Sequence, residues 1–298
     1  MIRSLNLDGM FLPTTHPEIH YELFKFSGGE LHIKLKNGFD YKEVEKVVIT
    51  QRIKNSDDLM AILFAVDALK LNGVKAFDLV IPYIPYARQD RKCVYGESFT
   101  LKVFTTLINT VGFEKVYVFD AHSDVSVALI NNCENVSNED YVIRAIMDLP
   151  NDTYLISPDS GANKKINKLY DSIKNEFLAA KTPNPILGVV KCDKVRNMHT
   201  GQLSDFTAFT DDLNGADCLI VDDICDGGRT FIGVAKALKE KNAGNISLFV
   251  THGIFSWGFA EIFKEIDRVY TTNSFNDANV DGKLNADIKY LKQYKLYL

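Results

Sequence analysis

The chain is short of paired cysteines, of long apolar runs and of concentrated positive charge, and each shortage excludes something. Its five cysteines (Cys93, Cys133, Cys192, Cys218, Cys225) are scattered over 298 residues, never as C-x-x-C. The odd count fits reduced thiols in a cytoplasm, with structural or incidental roles. No segment approaches about eighteen consecutive apolar residues, so no membrane span is expected. The opening MIRSLNLDGMFLP has no charged region followed by a long apolar stretch, so no secretory signal is expected. A formal charge of -5 and no long basic run speak against a nucleic-acid surface. There is no G-x-x-x-x-G-K-[ST] run either, so any phosphate site is not a Walker loop.

What is present is the material of an ordinary globular protein. The composition is 46% hydrophobic and 24% charged, enough for a normal core. The length suits one large domain or two ordinary ones. Short β-rich runs (VEKVVIT, FDLVIPY, VYVFDAH, TYLISPD, ILGVVK, CLIVDD, NISLFVTHG) alternate with amphipathic stretches. DDLMAILFAVDALKLNG places Leu59, Ile62, Leu63, Val66 and Leu69 on one helical face and stops at Gly73. The alternation predicts an α/β fold in which mainly parallel sheets are flanked by helices. Two domains are expected, 1–140 and 141–298, with the last residues free to return to the first. The linker region is expected between about Asn131 and Asn151, polar at first and then carrying the helix-like EDYVIRAIM. The end, KYLKQYKLYL, reads equally well as strand or helix.

In open parallel sheets ligands gather at the carboxyl ends of strands. The chemically notable residues follow strands: Arg88 to Asp90, His122, Asp159, Lys194 and Arg196, and Asp222 to Thr230. In CLIVDDICDGGRTF a strand meets Asp222 and Asp223, then Asp226, Gly227, Gly228, Arg229 and Thr230 open a helix whose stripe is Phe231, Val234, Ala235 and Leu238. A helix N-terminus with free N–H groups favours a phosphate, and Arg229 and Thr230 can add donors. Two carboxylates can accept hydrogen bonds from the vicinal hydroxyls of a sugar. The bland alternative is a solvated acidic turn. Trp257 and Phe259 are most simply core or interface aromatics, and His252 a structural histidine.

The acidic loop resembles the phosphoribosyl diphosphate (PRPP) loop of type I phosphoribosyltransferase-like proteins, which would bring acids to the ribose hydroxyls and the following loop to the 5-phosphate. Alone it leaves open enzymes that consume PRPP and those that make it. VIPYIPYARQDRKCVYGESFTLKVF (80 to 104) separates them. Tyr83, Pro85 and Tyr86 lead into a loop of Arg88, Gln89, Asp90, Arg91 and Lys92, which can meet phosphate oxygens and the polar edge of a nucleotide. This stretch resembles the ARQDRK signature of the ribose-phosphate diphosphokinases, or PRPP synthases. Further landmarks follow in that family's order: FSGGE (26 to 30), VFDAHSD, ISPDSG, KCDKVR and TTNSF (271 to 275).

The resemblance implies a phosphoribosyltransferase-like fold and transfer of the β,γ-diphosphoryl group of ATP to ribose 5-phosphate. It implies Phe26, Glu30, Arg88, Gln89, Asp90 and His122 at ATP, and Lys194 and Arg196 as catalytic cations. His122 and Asp159 would hold Mg2+, and Asp222, Asp223, Asp226, Gly227, Gly228, Arg229 and Thr230 would hold ribose 5-phosphate. A homo-oligomer, dimer or hexamer, is implied, with the Phe26 segment facing a partner's Arg88 loop. The sequence departs from the pattern in five places. Gly28 stands for an aspartate, Gly227 for a threonine and Arg229 for the loop glycine, the stretch after His122 (SDVSVALINN) differs, and the C-terminal tail is short, so nucleotide affinity and regulation are open. A PRPP-consuming transferase leaves ARQDRK and FSGGE without a use. A non-catalytic homologue would be expected to lose the catalytic cations or the sugar loop.

Overall fold

The structure, a computed structural model, describes residues 1–196, 203–277 and 290–298; at 194–196 and 203–205 it describes the backbone alone. The chain divides into two compact units, residues 1–137 with 295–298, and residues 138–294.

The first unit runs β1 (Ile2–Asn6), β2 (Tyr21–Lys25), β3 (Leu31–Leu35), β4 (Lys46–Thr50), α1 (Ser56–Leu71), β5 (Ala76–Val80), α2 (Thr100–Asn109), β6 (Lys115–Phe119), α3 (Asp124–Leu129) and β7 (Cys133–Val136). Five strands form one parallel sheet in the order β1-β4-β5-β6-β7, while β2 and β3 make a separate antiparallel hairpin. α1 begins with a reciprocal cap. Asn55 Oδ1 accepts from the N–H groups of Asp57 and Asp58 (2.9 and 3.2 Å), and Asp58 Oδ2 accepts from the Asn55 N–H (3.1 Å). Of its expected stripe, Ile62, Val66 and Leu69 are buried in the unit's core with Leu5, Val47, Ile49 and Leu79. Burial of this stripe, rather than intrinsic propensity, holds the helix on the sheet.

The second unit runs α4 (Glu139–Met147), β8 (Thr153–Ser157), α5 (Asn163–Ala179), β9 (Ile186–Arg196), β10 (Leu203–Ala208), β11 (Asp217–Cys225), α6 (Arg229–Lys239), β12 (Ile246–Gly253), α7 (Ile262–Glu265), β13 (Arg268–Thr272) and β14 (Leu291–Tyr294). Its seven strands are ordered β10-β9-β8-β11-β12-β13-β14, parallel except for β10 against β9. β11 and β12 lie centrally and are buried on both faces, as their mainly apolar runs CLIV and ISLFV require. Both units are therefore parallel α/β layers, as the alternation predicted.

Two local readings are sharpened. The division between the units, between Ser137 and Asn138, falls inside the Asn131–Asn151 stretch, which carries β7 and, as the helix-like EDYVIRAIM, α4. The polar start of this stretch comes from β7 being a sheet edge, where Glu134 and Asn135 face solvent. The ambiguous end of the chain contains a strand, β14, seated parallel to β13.

Candidate functional site

The sugar-phosphate candidate lies where β11 meets α6. The strand does not stop at the acids but continues through Asp222 and Asp223 to Cys225, with Asp222 opposite Val250 and Ile224 opposite His252. Asp223 is buried and Asp222 partly so. The Asp223 N–H donates to Asp222 Oδ1 over 2.9 Å. Burial, and then the charge on Asp223, push the Asp222 carboxyl well above the usual carboxylate range. Cys225, also buried, has its thiol pushed up to about 12, chiefly by burial, so it packs rather than reacts.

Beyond Cys225 the backbone turns sharply. Asp226 is exposed, Gly228 adopts a left-handed conformation at φ 80°, and α6 starts at Arg229. A glycine at the N-cap has no side chain to spend on the first helical N–H groups, and no side-chain cap is made. Those donors and the positive end of α6 suit an anion. The buried face of α6 is Phe231, Val234, Ala235 and Leu238, the expected stripe, and it fixes the direction in which the N-terminus points.

The loop also has a neighbour that sequence reasoning missed. Trp257 is 57% exposed, so it is neither core nor fully covered. The Arg229 guanidinium carbon sits 4.3 Å from the Trp257 ring centre. A Cβ on Gly227 would come within 3.0 Å of the same indole. Arg229 and Trp257 are 28 positions apart, so no local pattern links them.

Two other candidates in this unit follow strands. Asp159 comes after β8, partly buried, and its Oδ1 accepts from the Ala162 N–H at 3.1 Å. Lys194 and Arg196 end β9, whose backbone pairs position 194 with Phe206 and position 196 with Leu203. Their side chains lie outside the described residues. His252 is buried, its Nδ1 2.8 Å from Ser274 Oγ, which suits the structural role expected of it.

In the first unit, Phe26 and Glu30 bracket the tip of the β2–β3 hairpin, where the Phe26 N–H donates to the Glu30 carbonyl (2.9 Å). Both side chains are exposed. The Phe26 ring centre lies 5.3 Å from Phe24 and 5.6 Å from His32, giving a solvent-facing aromatic cluster. Gly28 contributes no side chain there. Arg88, Gln89 and Asp90 lie in the irregular stretch between β5 and α2; Arg88 and Gln89 are exposed and Asp90 partly so. Tyr86, two residues before Arg88, has φ 63°, and Asp120, two residues before the exposed His122, has φ 47° while buried. Left-handed backbone at non-glycine residues is costly and concentrates at functional loops. Asp120 lies in the VFDAHSD landmark, but the resemblance assigns it no role of its own.

Among the described residues no group of three or more His, Cys, Asp or Glu side chains could hold a metal. An ion kept mainly by substrate phosphates and water, with one or two protein ligands, is still compatible with this donor set. No described helix is long and apolar enough to cross a membrane.

Comparison with known proteins adds to this geometry. Residues 14–112 match the N-terminal domain of ribose phosphate pyrophosphokinase, and residues 151–255 match the phosphoribosyl transferase domain. The chain is 29% identical over 266 residues to a ribose-phosphate pyrophosphokinase of Mycoplasma pneumoniae, covering 86% of this chain and 76% of that one. It is 27% identical over 272 residues to one from Thermosipho africanus, covering 89% and 81%. Its fold matches a crystal structure of phosphoribosylpyrophosphate synthetase from Mycobacterium smegmatis with a TM-score of 0.77 at 21% identity, over 98% of this chain and 94% of that one.

Proposed function

The chain belongs to the ribose-phosphate pyrophosphokinase family, and from that premise we infer that it transfers the β,γ-diphosphoryl group of ATP to the 1-hydroxyl of ribose 5-phosphate. The products are PRPP and AMP. The observation that carries the reading is the presence of both substrate loops on one chain. The ARQDRK loop follows β5, and the acid-to-glycine turn joins β11 to α6. A transferase consuming PRPP needs only the second.

The roles are those the family resemblance implies, and the chemistry of each side chain suits them. Asp222 and Asp223 accept the ribose 2- and 3-hydroxyls, while the N–H groups at Gly227 to Thr230, with the Thr230 hydroxyl and the Arg229 guanidinium, receive the 5-phosphate. Asp226 is exposed at the entry of this loop. Phe26 stacks on the adenine, Glu30 and Asp90 accept from its polar edge, and Arg88 and Gln89 donate to the nucleotide. His122 donates to a phosphate oxygen. Lys194 and Arg196 stabilise charge that builds on the phosphoryl oxygens during transfer; phosphoryl transfer depends on such positioning and neutralisation more than on covalent help.

Asp159 offers a hard oxygen of the kind magnesium takes, with His122 as a second contact. A bound magnesium would neutralise phosphate charge. We place the protein in the cytoplasm, which suits its five unpaired thiols. It is a homo-oligomer, dimer or hexamer, in which the exposed Phe26 hairpin faces a partner's Arg88 loop. It does not act on nucleic acid or membranes.

Phosphorus NMR of the protein with ATP, magnesium and ribose 5-phosphate tests the reading, beside a Lys194→Ala control. PRPP and AMP should appear together and slow in the control by roughly 100- to 1,000-fold. Folded protein that binds ATP without forming AMP would make the chain a non-catalytic homologue. Pyrophosphate release from PRPP and a base would make it a transferase.

A further inference from the structure

The three residues Gly227, Arg229 and Trp257 form one arrangement. Gly227 and Arg229 are the loop's two departures from the family resemblance, and Trp257 is the chain's one tryptophan. The indole lies across the face of Gly227, where any Cβ would meet Cδ2 and Cε3 at 3.0 Å, so a threonine at 227 could not share the space without displacing it. On the same ring rests Arg229, its guanidinium carbon 4.3 Å from the centre.

The indole is fixed by backbone rather than by burial. The Ile254 and Phe255 N–H groups both donate to the Cys225 carbonyl (2.9 and 3.1 Å), and the Ser256 N–H donates to the Asp226 carbonyl (3.1 Å). Residues 254–256 are thereby fastened along the loop, with Phe255 bent into a left-handed conformation at φ 48°. A large aromatic residue left 57% exposed is not serving the core. Stacking orders a long, flexible cation that would otherwise sample many rotamers beside the loop.

We propose that Trp257 is a positioning residue for ribose 5-phosphate: it holds the Arg229 guanidinium at the sugar-phosphate loop, where this cation supplies the donor that Gly227 cannot. Recognition of the 5-phosphate is then by charge and a planar fork of N–H groups rather than by a hydroxyl at position 227. The proposal rests on the function proposed above. It treats Gly227, Arg229 and Trp257 as one coupled set.

The test uses the full-length enzyme. Trp257→Ala should raise the KM for ribose 5-phosphate by about tenfold, the size of one well-formed cation–π contact, with kcat and the KM for ATP held within about twofold. Trp257→Phe, which keeps an aromatic face, should recover most of the loss. Because Trp257 is the only tryptophan, wild-type emission should change on titration with ribose 5-phosphate in the presence of magnesium and a non-transferable ATP analogue. Ribose without its phosphate should leave it unmoved. Where Trp257→Ala does not fold, Arg229→Gly, which removes an exposed side chain, supplies the same KM measurement. An enzyme that makes PRPP yet shows unchanged KM in these variants, or unchanged emission at saturating ribose 5-phosphate, overturns this inference alone. A wild type that makes no PRPP removes the functional reading beneath it.

Discussion

Asp222 accepts a hydrogen bond from the backbone N–H of its own neighbour, Asp223, at 2.9 Å, and the two carboxyl groups share one partly enclosed spot at the end of β11. Burial and the Asp223 charge raise the Asp222 pKa. A carboxyl whose folded pKa lies above its unfolded value binds more protons folded than unfolded. Stability therefore falls as pH rises through that interval. Asp222→Asn keeps the acceptor and removes the charge. At neutral pH it should raise Tm by about 2–4 °C, the shift that about 1 kcal/mol produces in a domain of this size. The gain should shrink toward pH 4, while activity with ribose 5-phosphate falls. Thermal scans across pH, set beside the activity of the same samples, check both halves. A variant less stable than wild type at every pH would contradict the cost assigned to the acidic pair.

Gly227 is constrained by the indole that lies over it. Gly227→Ala places a methyl group 3.0 Å from Trp257 and should cost about 1–3 kcal/mol, as overpacking does. The penalty should largely vanish in the Trp257→Ala background. Urea denaturation of the two single variants and the double variant gives the coupling energy directly. Additive effects would mean that the ring moves aside without strain.

Phe26 is 52% exposed and contacts only other surface aromatics among its ring neighbours, Phe24 and His32. Removing it should leave Tm nearly unchanged. If it stacks on adenine, Phe26→Ala should raise the KM for ATP by roughly tenfold, since stacking a base on an aromatic ring contributes about 1–3 kcal/mol. The KM for ribose 5-phosphate should stay put. Initial rates with each substrate varied in turn separate the two, and an equal rise in both would point to a general disturbance of the enzyme.

The parts of this fold that were legible in the sequence are those whose burial is one-sided or complete. α1 and α6 announce themselves by stripes ending in Leu69 and Leu238, β11 by the apolar run CLIV before Asp222, and β12 by a run broken only by the small Ser247 and Thr251 before His252. What escaped was at edges and on the surface. The polar start of the linker region hides β7 because Glu134 and Asn135 face solvent at the sheet edge, and β14 could be strand or helix because its Tyr294 is buried by distant residues. The β2–β3 hairpin exposes Leu23, Phe24 and Phe26 and so lacks the alternation that marks a strand with one dry face. At the candidate site the acids, the glycines and Thr230 were visible as a local run. Trp257 was not, because its role depends on a contact made across the fold, and no spacing rule encodes that.

The far end of the second unit gives a prediction independent of function. Asp148, just past α4, accepts from the Tyr270 hydroxyl (3.1 Å) and the Tyr290 hydroxyl (2.5 Å), and from the Lys292 ammonium (2.7 Å). Burial works to raise its pKa, but the Lys292 and tyrosine hydrogen bonds together outweigh it and leave the carboxyl below its ordinary value. A depressed carboxylate contributes stability that is present above its unfolded pKa and lost as pH falls through the folded one. Asp148→Asn should therefore destabilise the protein at pH 7 by about 1 kcal/mol, a figure kept small because Lys292 and Asp148 are both partly open to water. Once the pH falls below the depressed folded pKa the wild type has lost the same charge, and the two proteins should converge if they remain folded. Because Tyr290 and Lys292 flank the start of β14, hydrogen exchange should also report faster opening of residues 291–294 in the variant. A variant with unchanged urea midpoint at pH 7 would show that the tyrosine hydroxyls and the ammonium find equal partners in water, and that β14 is held by its pairing with β13 instead.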